Sequence, residues 1–467
     1  MRAASHLVVL SAAALVGLSG CAVGPDYRQP VTVTPAAFGE PGPWRVAAPR
    51  DHLPRDAWWT IFGDPELDRL QADTAAANPT LAAAVARRDQ ARALTRAGRA
   101  GFYPTAALNA SAERGRTAPN DRTGADAYVG NSFQLPLDLA YELDLWGRVR
   151  RTAEAAEARA AAAEADYHNV LLSLQADVAH LYFTLRALDA EHELLARAVV
   201  TRHDSLDIAR RRLELGAGAE LDVQLARAEL ASARGDLLAV EQGRAASRHA
   251  LAVLTGRLPV DFTLASSAGP LPVAPVIPLA LPAELLERRP DIAAAERSLA
   301  AANAGIGVAR AAFFPSITLA ASAGYESSAV DSLTRWDNRQ WSFGPGISLP
   351  LFQGGRNTAN QRRAEAVHAE ALATYRQTVL NAFREVETAL SDVRLLAARD
   401  AAQAEASAAS REAAELVRRR YESGRLGYLD VADAERTALL NERRLVQLRG
   451  QNLLAGVALV RALGGGW

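Results

Sequence analysis

The stretch Ser132–Arg148, SFQLPLDLAYELDLWGR, decides the fold of this chain. Carried back to Val129, it places Val129, Phe133, Leu135, Leu137, Leu139, Tyr141, Leu143 and Leu145 on one face of an extended segment. Ser132, Gln134, Asp138, Glu142 and Asp144 fall on the other. A two-residue period of this kind belongs to a strand with one apolar and one polar face. The pattern returns with Trp341, Phe343, Ile347, Leu349 and Leu351 set against Ser342, Gly344, Gly346 and Ser348. A weaker alternating stretch precedes each: Leu108, Ala110 and Ala112 in one case, Ile317, Leu319, Ala321, Ala323 and Tyr325 in the other. Polar loops, Arg114 to Asp126 and Ser327 to Arg339, separate the members of each pair. Strands apolar toward lipid and polar toward a lumen are the signature of a transmembrane barrel. Alternation alone is also what two half-buried hairpins on a soluble core would show.

The sequence around these strands is used twice. RAGFYPTAAL at Arg99 to Leu108 returns as RAAFFPSITL at Arg310 to Leu319, and RLELGAGAELDV at Arg212 to Val223 returns as RYESGRLGYLDV at Arg420 to Val431. The offset is about 210 residues both times, as a tandem duplication requires. Asn78-Pro79 and Arg289-Pro290 correspond as well, each opening an alanine-rich helix. The expected layout is a signal peptide at 1–20, an N-terminal segment at 21–64, a first repeat at 65–268, a proline-rich linker at 269–289 and a second repeat at 290–467. Each repeat reads helix, strand, strand, very long helix, tight turn, second long helix.

The long helices carry a different period. Leu174, Val178, Leu181, Leu185, Leu188, Leu195, Val199 and Leu206 recur in steps of three and four or their sums, a heptad seam in which His192 also stands. Leu372, Tyr375, Val379, Phe383, Val386, Leu390, Val393 and Ala397 match it in the second repeat. Without proline from Gly147 or Gly355 to Gly216 or Gly424, each helix extends roughly 100 Å at 1.5 Å per residue. It must pack lengthwise against others. Four long strands per chain cannot close a barrel, and open edges in lipid leave backbone groups unsatisfied at several kcal/mol each. Several chains must therefore share one barrel. Two copies would give about eight strands and a filled interior, three about twelve strands and a lumen. Two helical hairpins per chain would likewise give a trimer a twelve-helix tube. Strand counting alone does not separate a trimer from a tetramer.

The N-terminus reads as a secretion signal: Arg2, then a short apolar run from Leu7 to Leu18, then small residues. Leu18-Ser19-Gly20-Cys21 follows and resembles the lipobox of bacterial lipoproteins. That resemblance implies cleavage before Cys21 and a diacylglyceryl group on its thiol, and Ala22 rather than an aspartate after it implies sorting to the outer membrane. Cys21 is the only cysteine in 467 residues, so no disulfide framework can form within one copy. The formal net charge of -1 gives no indication of nucleic-acid binding.

Taken with Val23-Gly24-Pro25-Asp26-Tyr27, Trp58-Trp59, Asn78-Pro79, Phe102-Tyr103-Pro104, Tyr141 to Arg148, Arg288-Arg289-Pro290-Asp291, Phe313-Phe314-Pro315, Pro350-Leu351-Phe352 and the terminal Ala462 to Trp467, the chain resembles the TolC-like outer membrane factor family, in its lipoprotein branch. The resemblance spans the whole mature chain. It implies a mainly α fold with a membrane β-barrel: a homotrimer with a twelve-stranded β-barrel in the outer membrane and a long α-barrel in the periplasm. It also implies partners, a periplasmic adaptor and an inner-membrane pump of the resistance-nodulation-division (RND) class, for export of small molecules such as drugs. The segment Leu429-Asp430-Val431-Ala432-Asp433-Ala434-Glu435-Arg436 resembles the family's aperture motif. Carried over, Leu429 is an apolar constriction, Asp430 and Asp433 are acidic rings, and Arg436 bridges the gate. Asp222 is the first-repeat counterpart of Asp430, whereas Leu225 stands where Asp433 does. Asp222 and Asp430 also sit where a helix cap would, and acids in a first helical turn are stabilised by about 0.3–1 kcal/mol. Arg419, Arg420 and Arg425 lie close in sequence as candidate partners for the acids.

Nothing in the sequence points to an enzyme, a cofactor or a metal. His192 and His203 lie near one helix face but roughly 16 Å apart, too far to share an ion. Two other readings share parts of the pattern. One is the outer-membrane component of type I protein secretion, since the pump selects the cargo. The other is a lipid-anchored periplasmic coiled coil without a pore, which leaves the paired amphipathic strands unexplained.

Overall fold

The computed structural model describes residues 22–31, 38–39, 57–118, 127–264, 271–275, 277 and 288–465. Cys21, the signal segment, Gly466, Trp467 and most of the proline-rich linker lie outside the described residues. Among the described residues twelve α-helices and strands follow one another: α1 (Pro65–Ala77), α2 (Pro79–Arg99), β1 (Thr105–Leu108), β2 (Ser111–Thr117), β3 (Tyr128–Leu143), α3 (Arg148–Glu214), α4 (Glu220–Leu254), α5 (Pro290–Ala311), β4 (Ser316–Ser327), β5 (Arg339–Ser348), α6 (Arg356–Glu422) and α7 (Tyr428–Ala462). The two long helices of the repeats have the same length, 67 residues each, and so do the shorter ones, 35 each. Among the described residues no helix is long and apolar enough to cross a membrane.

The chain divides into two compact units. One draws on 22–31, 87–164 and 294–376, the other on 38–86, 165–293 and 377–465, leaving aside undescribed residues. In the first unit all five strands form one antiparallel sheet, β1 and β2 both lying along β3, which pairs with β4, which pairs with β5. The expectation of one continuous first strand is corrected here. It breaks at Asn109 and Ala110, opposite Pro136, which has no N–H to give to the ladder. Asn109 instead donates its own N–H to the Pro136 carbonyl, 2.9 Å away. On the other side of Pro136 stands Gly324. A Cβ there would come within 2.2 Å of the Leu135 oxygen and 2.6 Å of Pro136 Cα, so only glycine lets the strands close.

Strand ends also differ from the sequence expectation. β2 runs through Arg114 to Thr117, Ser327 still belongs to β4 and Arg339 opens β5, so the loops are shorter than expected. Leu145, Leu349 and Leu351 lie beyond the strands. The faces are as read from the alternation. Leu135, Leu137, Leu139, Tyr141 and Leu143 oppose Tyr325, Ala323, Ala321, Leu319 and Ile317 in register. Trp341, Phe343 and Ile347 continue that face and are exposed. Ser132 and Gln134 both donate to Glu326 on the polar face, at 3.3 and 3.2 Å.

At the strand-to-helix corner Gly147 adopts φ +79 and leaves room for Ala22. Asp144 accepts from the N–H groups of Val149 and Arg150, both at 2.9 Å, satisfying donors that open α3. Trp146 stacks on Phe314 and donates to the Pro315 carbonyl at 2.8 Å. Residues 23–27 are tied along this unit. Val23 donates to the Trp146 carbonyl, Asn303 donates to the Pro25 carbonyl, and Arg151 bonds Asp26 at 2.7 Å.

The second unit holds the main apolar core, with Leu67, Leu70, Val178, Phe183, Leu251 and Leu390 all at 0% exposure. α1, absent from the sequence reading, supplies the first two. Trp58, 4% exposed, belongs to this cluster and donates to Gln175 at 3.1 Å, so it is a packing residue. Arg289 is buried by Asp291, Glu385 and the Ala462 carbonyl, which together satisfy its guanidinium.

Candidate functional site at the hairpin tips

Each long helical pair turns at a glycine. Gly216 has φ +69 and Gly424 φ +74, the left-handed region in which a Cβ is strained. Ala217 donates back to the Arg212 carbonyl and Arg425 to the Arg420 carbonyl, closing the carbonyl ends of α3 and α6 in Schellman fashion. The two tips share one small core within the second unit. Leu206 and Ala209 of α3, Ala226 and Leu230 of α4, Tyr421 of α6 and Tyr428, Val431 and Ala432 of α7 are all buried in it. Tyr421 and Tyr428 meet edge to face, and the Arg212 guanidinium lies 4.5 Å over the Tyr421 ring.

The motif residues occupy distinct settings on this scaffold. Leu429 is 63% exposed, an apolar side chain presented outward beside the turn. Asp430 accepts from the Gly427 N–H at 3.1 Å and so closes the start of α7 as a cap. Asp222 occupies the same helical position in α4, where no side chain caps the helix; burial raises the Tyr421 phenol, the Arg212 charge opposes this, and the Asp222 charge adds to it. Asp433 is three-quarters exposed and 3.7 Å from Arg436. Arg436 leaves its own hairpin: its Nη2 and Nε donate to Glu229 Oε1 of α4 at 2.7 and 3.2 Å. Glu229 also takes a charge-assisted bond from Arg202 of α3, whose side chain is only 6% exposed.

Glu229 and Arg202 were missed by reading the repeats against each other. Glu229 stands opposite Thr437, and Arg436 opposite Ala228, so neither half carries the pair. The ion pair exists because the two hairpins are unequal. Of the expected basic partners, Arg419, Arg420 and Arg425 form no ion pair with Asp430 or Asp433 among the described residues, and Arg436 takes that position. Arg418, Arg202 and Glu435 line a cavity of about 280 Å³ beside the pair. Glu435 faces it with one buried carboxylate oxygen that has no hydrogen-bond partner. Burial raises its pKa, opposed by the charges of Arg418 and Arg202. Burial likewise pushes the Tyr428 phenol up to about 12.

His192 and His203 take separate partners, Glu241 at 3.3 Å and Asp207 at 3.5 Å. Among the described residues no group of three or more His, Cys, Asp or Glu side chains is placed to hold a metal ion.

The architecture has close counterparts. The family model for outer membrane efflux proteins matches twice, over residues 70–257 and 281–465. The solvent efflux pump outer membrane protein SrpC of Pseudomonas putida is 36% identical over 463 residues, 97% of each chain. The outer membrane protein OprJ of Pseudomonas aeruginosa is 35% identical over 456 residues, 96% of this chain and 94% of its own. The solved structure of the outer-membrane channel OprN superposes with a TM-score of 0.89 at 35% identity, covering 96% of this chain and all of that one. An open amphipathic sheet, paired 67-residue helices and two matches to one family model agree: this chain belongs to the outer membrane efflux protein family.

Proposed function

We propose that the chain is the outer-membrane duct of a tripartite efflux system, a passive homotrimeric channel that exports small molecules and is gated at its hairpin tips. The observation that carries this reading is the open sheet. Four strand positions end in two unpaired edges, along β1 and β2 on one side and β5 on the other. Lipid tolerates no such edges, so copies must pair edge to edge, and three copies give twelve positions and a lumen. The apolar face, from Ile317 to Tyr325, would cover about 27 Å along the strand and somewhat less along the tilted barrel axis, close to the roughly 25 Å apolar band of outer-membrane barrels. The two helical hairpins per chain would then build the periplasmic tube. The twofold family match supports repeats at 65–268 and 290–467 joined by the linker at 269–289.

The relatives' names, a solvent efflux pump outer membrane protein and a cation efflux system protein among them, support export of small solutes, and the family resemblance adds an adaptor in the periplasm and an RND pump in the inner membrane as the partners. The tip supplies the gate. Arg436–Glu229 holds one hairpin to the other, and Leu429, Asp430 and Asp433 converge with their symmetry mates on the axis. Three like charges there repel one another and favour cations. Cys21 is a second tether. Ala22, the residue after it, lies at the strand-to-helix corner, and the bonds of residues 23–27 hold the segment along the first unit. Cys21→Ser accordingly weakens sorting and assembly while leaving the conductance of inserted trimers intact; loss of conductance from such trimers would contradict a purely anchoring role.

The test is heat-modifiable migration of the membrane fraction together with conductance in planar bilayers. A heat-labile oligomer with discrete conductance steps is expected. A monomer that conducts nothing sinks the reading.

A further inference from the structure

The charges of the sheet are sorted by face. Its strands contain three arginines, Arg114, Arg116 and Arg339, and four carboxylates, Glu113, Asp138, Glu142 and Glu326. Register puts Arg114 opposite Asn131, Arg116 opposite Val129 and Arg339 opposite Tyr325, all on the apolar face. It puts Glu113 opposite Ser132, Asp138 and Glu142 opposite Ser322 and Thr318, and Glu326 opposite Gln134, all on the polar face. Three of the four carboxylates on the lumen side are partnered: Asp138 accepts from Asn109, Glu142 from Arg148, and Glu326 from Ser132 and Gln134. The arginines are exposed, and none has an ion-pair partner among the described residues. Arg339 stacks over the Trp336 ring at 4.0 Å and donates to the Trp336 carbonyl, which aims its guanidinium without neutralising it.

Position along the strands is as telling as face. All three arginines lie toward the loops, at residues 118–127 and 328–338, away from the ends that run into the helices. Toward the helices the same face carries Leu137, Leu139, Phe343 and Ile347. An arginine facing the hydrocarbon core is strongly disfavoured at the midplane and costs close to nothing at the interface. Its place on this face is therefore at the head-group level of the outer leaflet. The outer leaflet of this type of membrane is a phosphorylated glycolipid, and the guanidinium fork matches phosphate in bidentate fashion.

We propose that Arg114, Arg116 and Arg339 form a binding surface for the phosphates of the outer-leaflet glycolipid, securing the barrel at a fixed depth in that leaflet. The proposal rests on the membrane-spanning reading above. The probe is diphosphoryl lipid A, offered to the full detergent-solubilised chain and read by native mass spectrometry, with fully dephosphorylated lipid A as the comparison. The wild type is expected to prefer the phosphorylated lipid. Taking about 1 kcal/mol per basic residue near an anionic surface, Arg114→Gln with Arg116→Gln and Arg339→Gln lowers affinity for it roughly 100-fold. The corresponding three Arg→Lys changes restore only part of that loss, because an ammonium keeps the charge but not the fork. A fall of less than tenfold in the glutamine variant, or equal binding of the dephosphorylated lipid by the wild type, overturns the proposal. The second readout needs no variant to fold. Bilayer conductance recorded on the same wild-type sample keeps the two readings apart. A conducting oligomer with no phosphate preference sinks the lipid surface and leaves the channel standing, whereas failure to insert or conduct sinks both.

Discussion

Replacing Arg436 by alanine parts the two hairpins at one ion pair per protomer. The guanidinium is 48% exposed, so its bond to Glu229 belongs with solvent-screened pairs and contributes about 0.5–1 kcal/mol. Glu229 keeps Arg202, so no buried charge is orphaned in the variant. If three symmetric tips open together, the closed state loses about 1.5–3 kcal/mol, which raises the open-to-closed ratio roughly 10- to 150-fold. Asp433→Ala adds relief of like-charge repulsion on the axis while removing a 3.7 Å contact to Arg436, so the double variant conducts at least as well as Arg436→Ala alone. The assay is single-channel recording in planar bilayers, with open probability and conductance compared against wild type. Glu229→Ala is the contrasting control. It strips Arg202 of its carboxylate at a site where the side chain is 6% exposed, and breaking a buried pair in this way costs about 3 kcal/mol or more. That variant lowers the thermal stability of the tip, which Arg436→Ala leaves nearly unchanged. Wild-type open probability and conductance in Arg436→Ala would refute the bridging role outright.

Glu435→Gln carries a pH signature. Burial raises the Glu435 pKa in the fold, so the folded state holds the proton more tightly than the unfolded chain and stability falls as pH climbs through the window above the ordinary glutamate value of about 4.3. The glutamine variant is expected to unfold at higher temperature than wild type near pH 7, with the gap closing below about pH 4; a gap independent of pH would contradict the burial argument. Gly324→Ala puts a Cβ into the Leu135 oxygen, and because the neighbour is backbone and cannot swing away, the cost sits at the upper end of the roughly 1–3 kcal/mol typical of overpacking. The yield of heat-labile oligomer in membranes should fall sharply, and an undiminished yield would mean that β3 and β4 can separate without consequence.

Much of this was legible in the sequence for reasons of period. A two-residue alternation survives any environment, because it is fixed by the pleat, and it assigned the faces of β3, β4 and β5 before any coordinate. The glycines at 216 and 424 located both tips, since few other residues accept a left-handed turn. Repeat spacing gave the tandem order and the equal helices. What alternation could not give was where a ladder ends. Leu145 and Leu351 keep the period of their strands yet lie beyond them, because pairing depends on a neighbour's backbone and not on side-chain order. The break at Asn109 was equally invisible, since its cause, Pro136, lies 27 residues on and acts only once register brings the two together.

The tip divides in the same way. Leu429, Asp430, Asp433 and Arg436 are singled out by a local motif, and the capping of α7 by Asp430 follows from position in a first helical turn. Their partners were not, because Glu229 and Arg202 are joined to Arg436 only by the packing of Leu206, Leu230, Tyr421 and Tyr428 between two hairpins some 200 residues apart in sequence. By itself the sequence determined the long helices, the faces of the main strands, the duplication and the need for more than one copy, all of which depend on short-range period and on the cost of open edges in lipid, but not α1 or the split of the first strand into β1 and β2. The tertiary structure alone decided which charges meet, which carboxylate oxygens are buried without a hydrogen-bond partner, and where each strand stops, because those depend on distances between segments that no local pattern encodes.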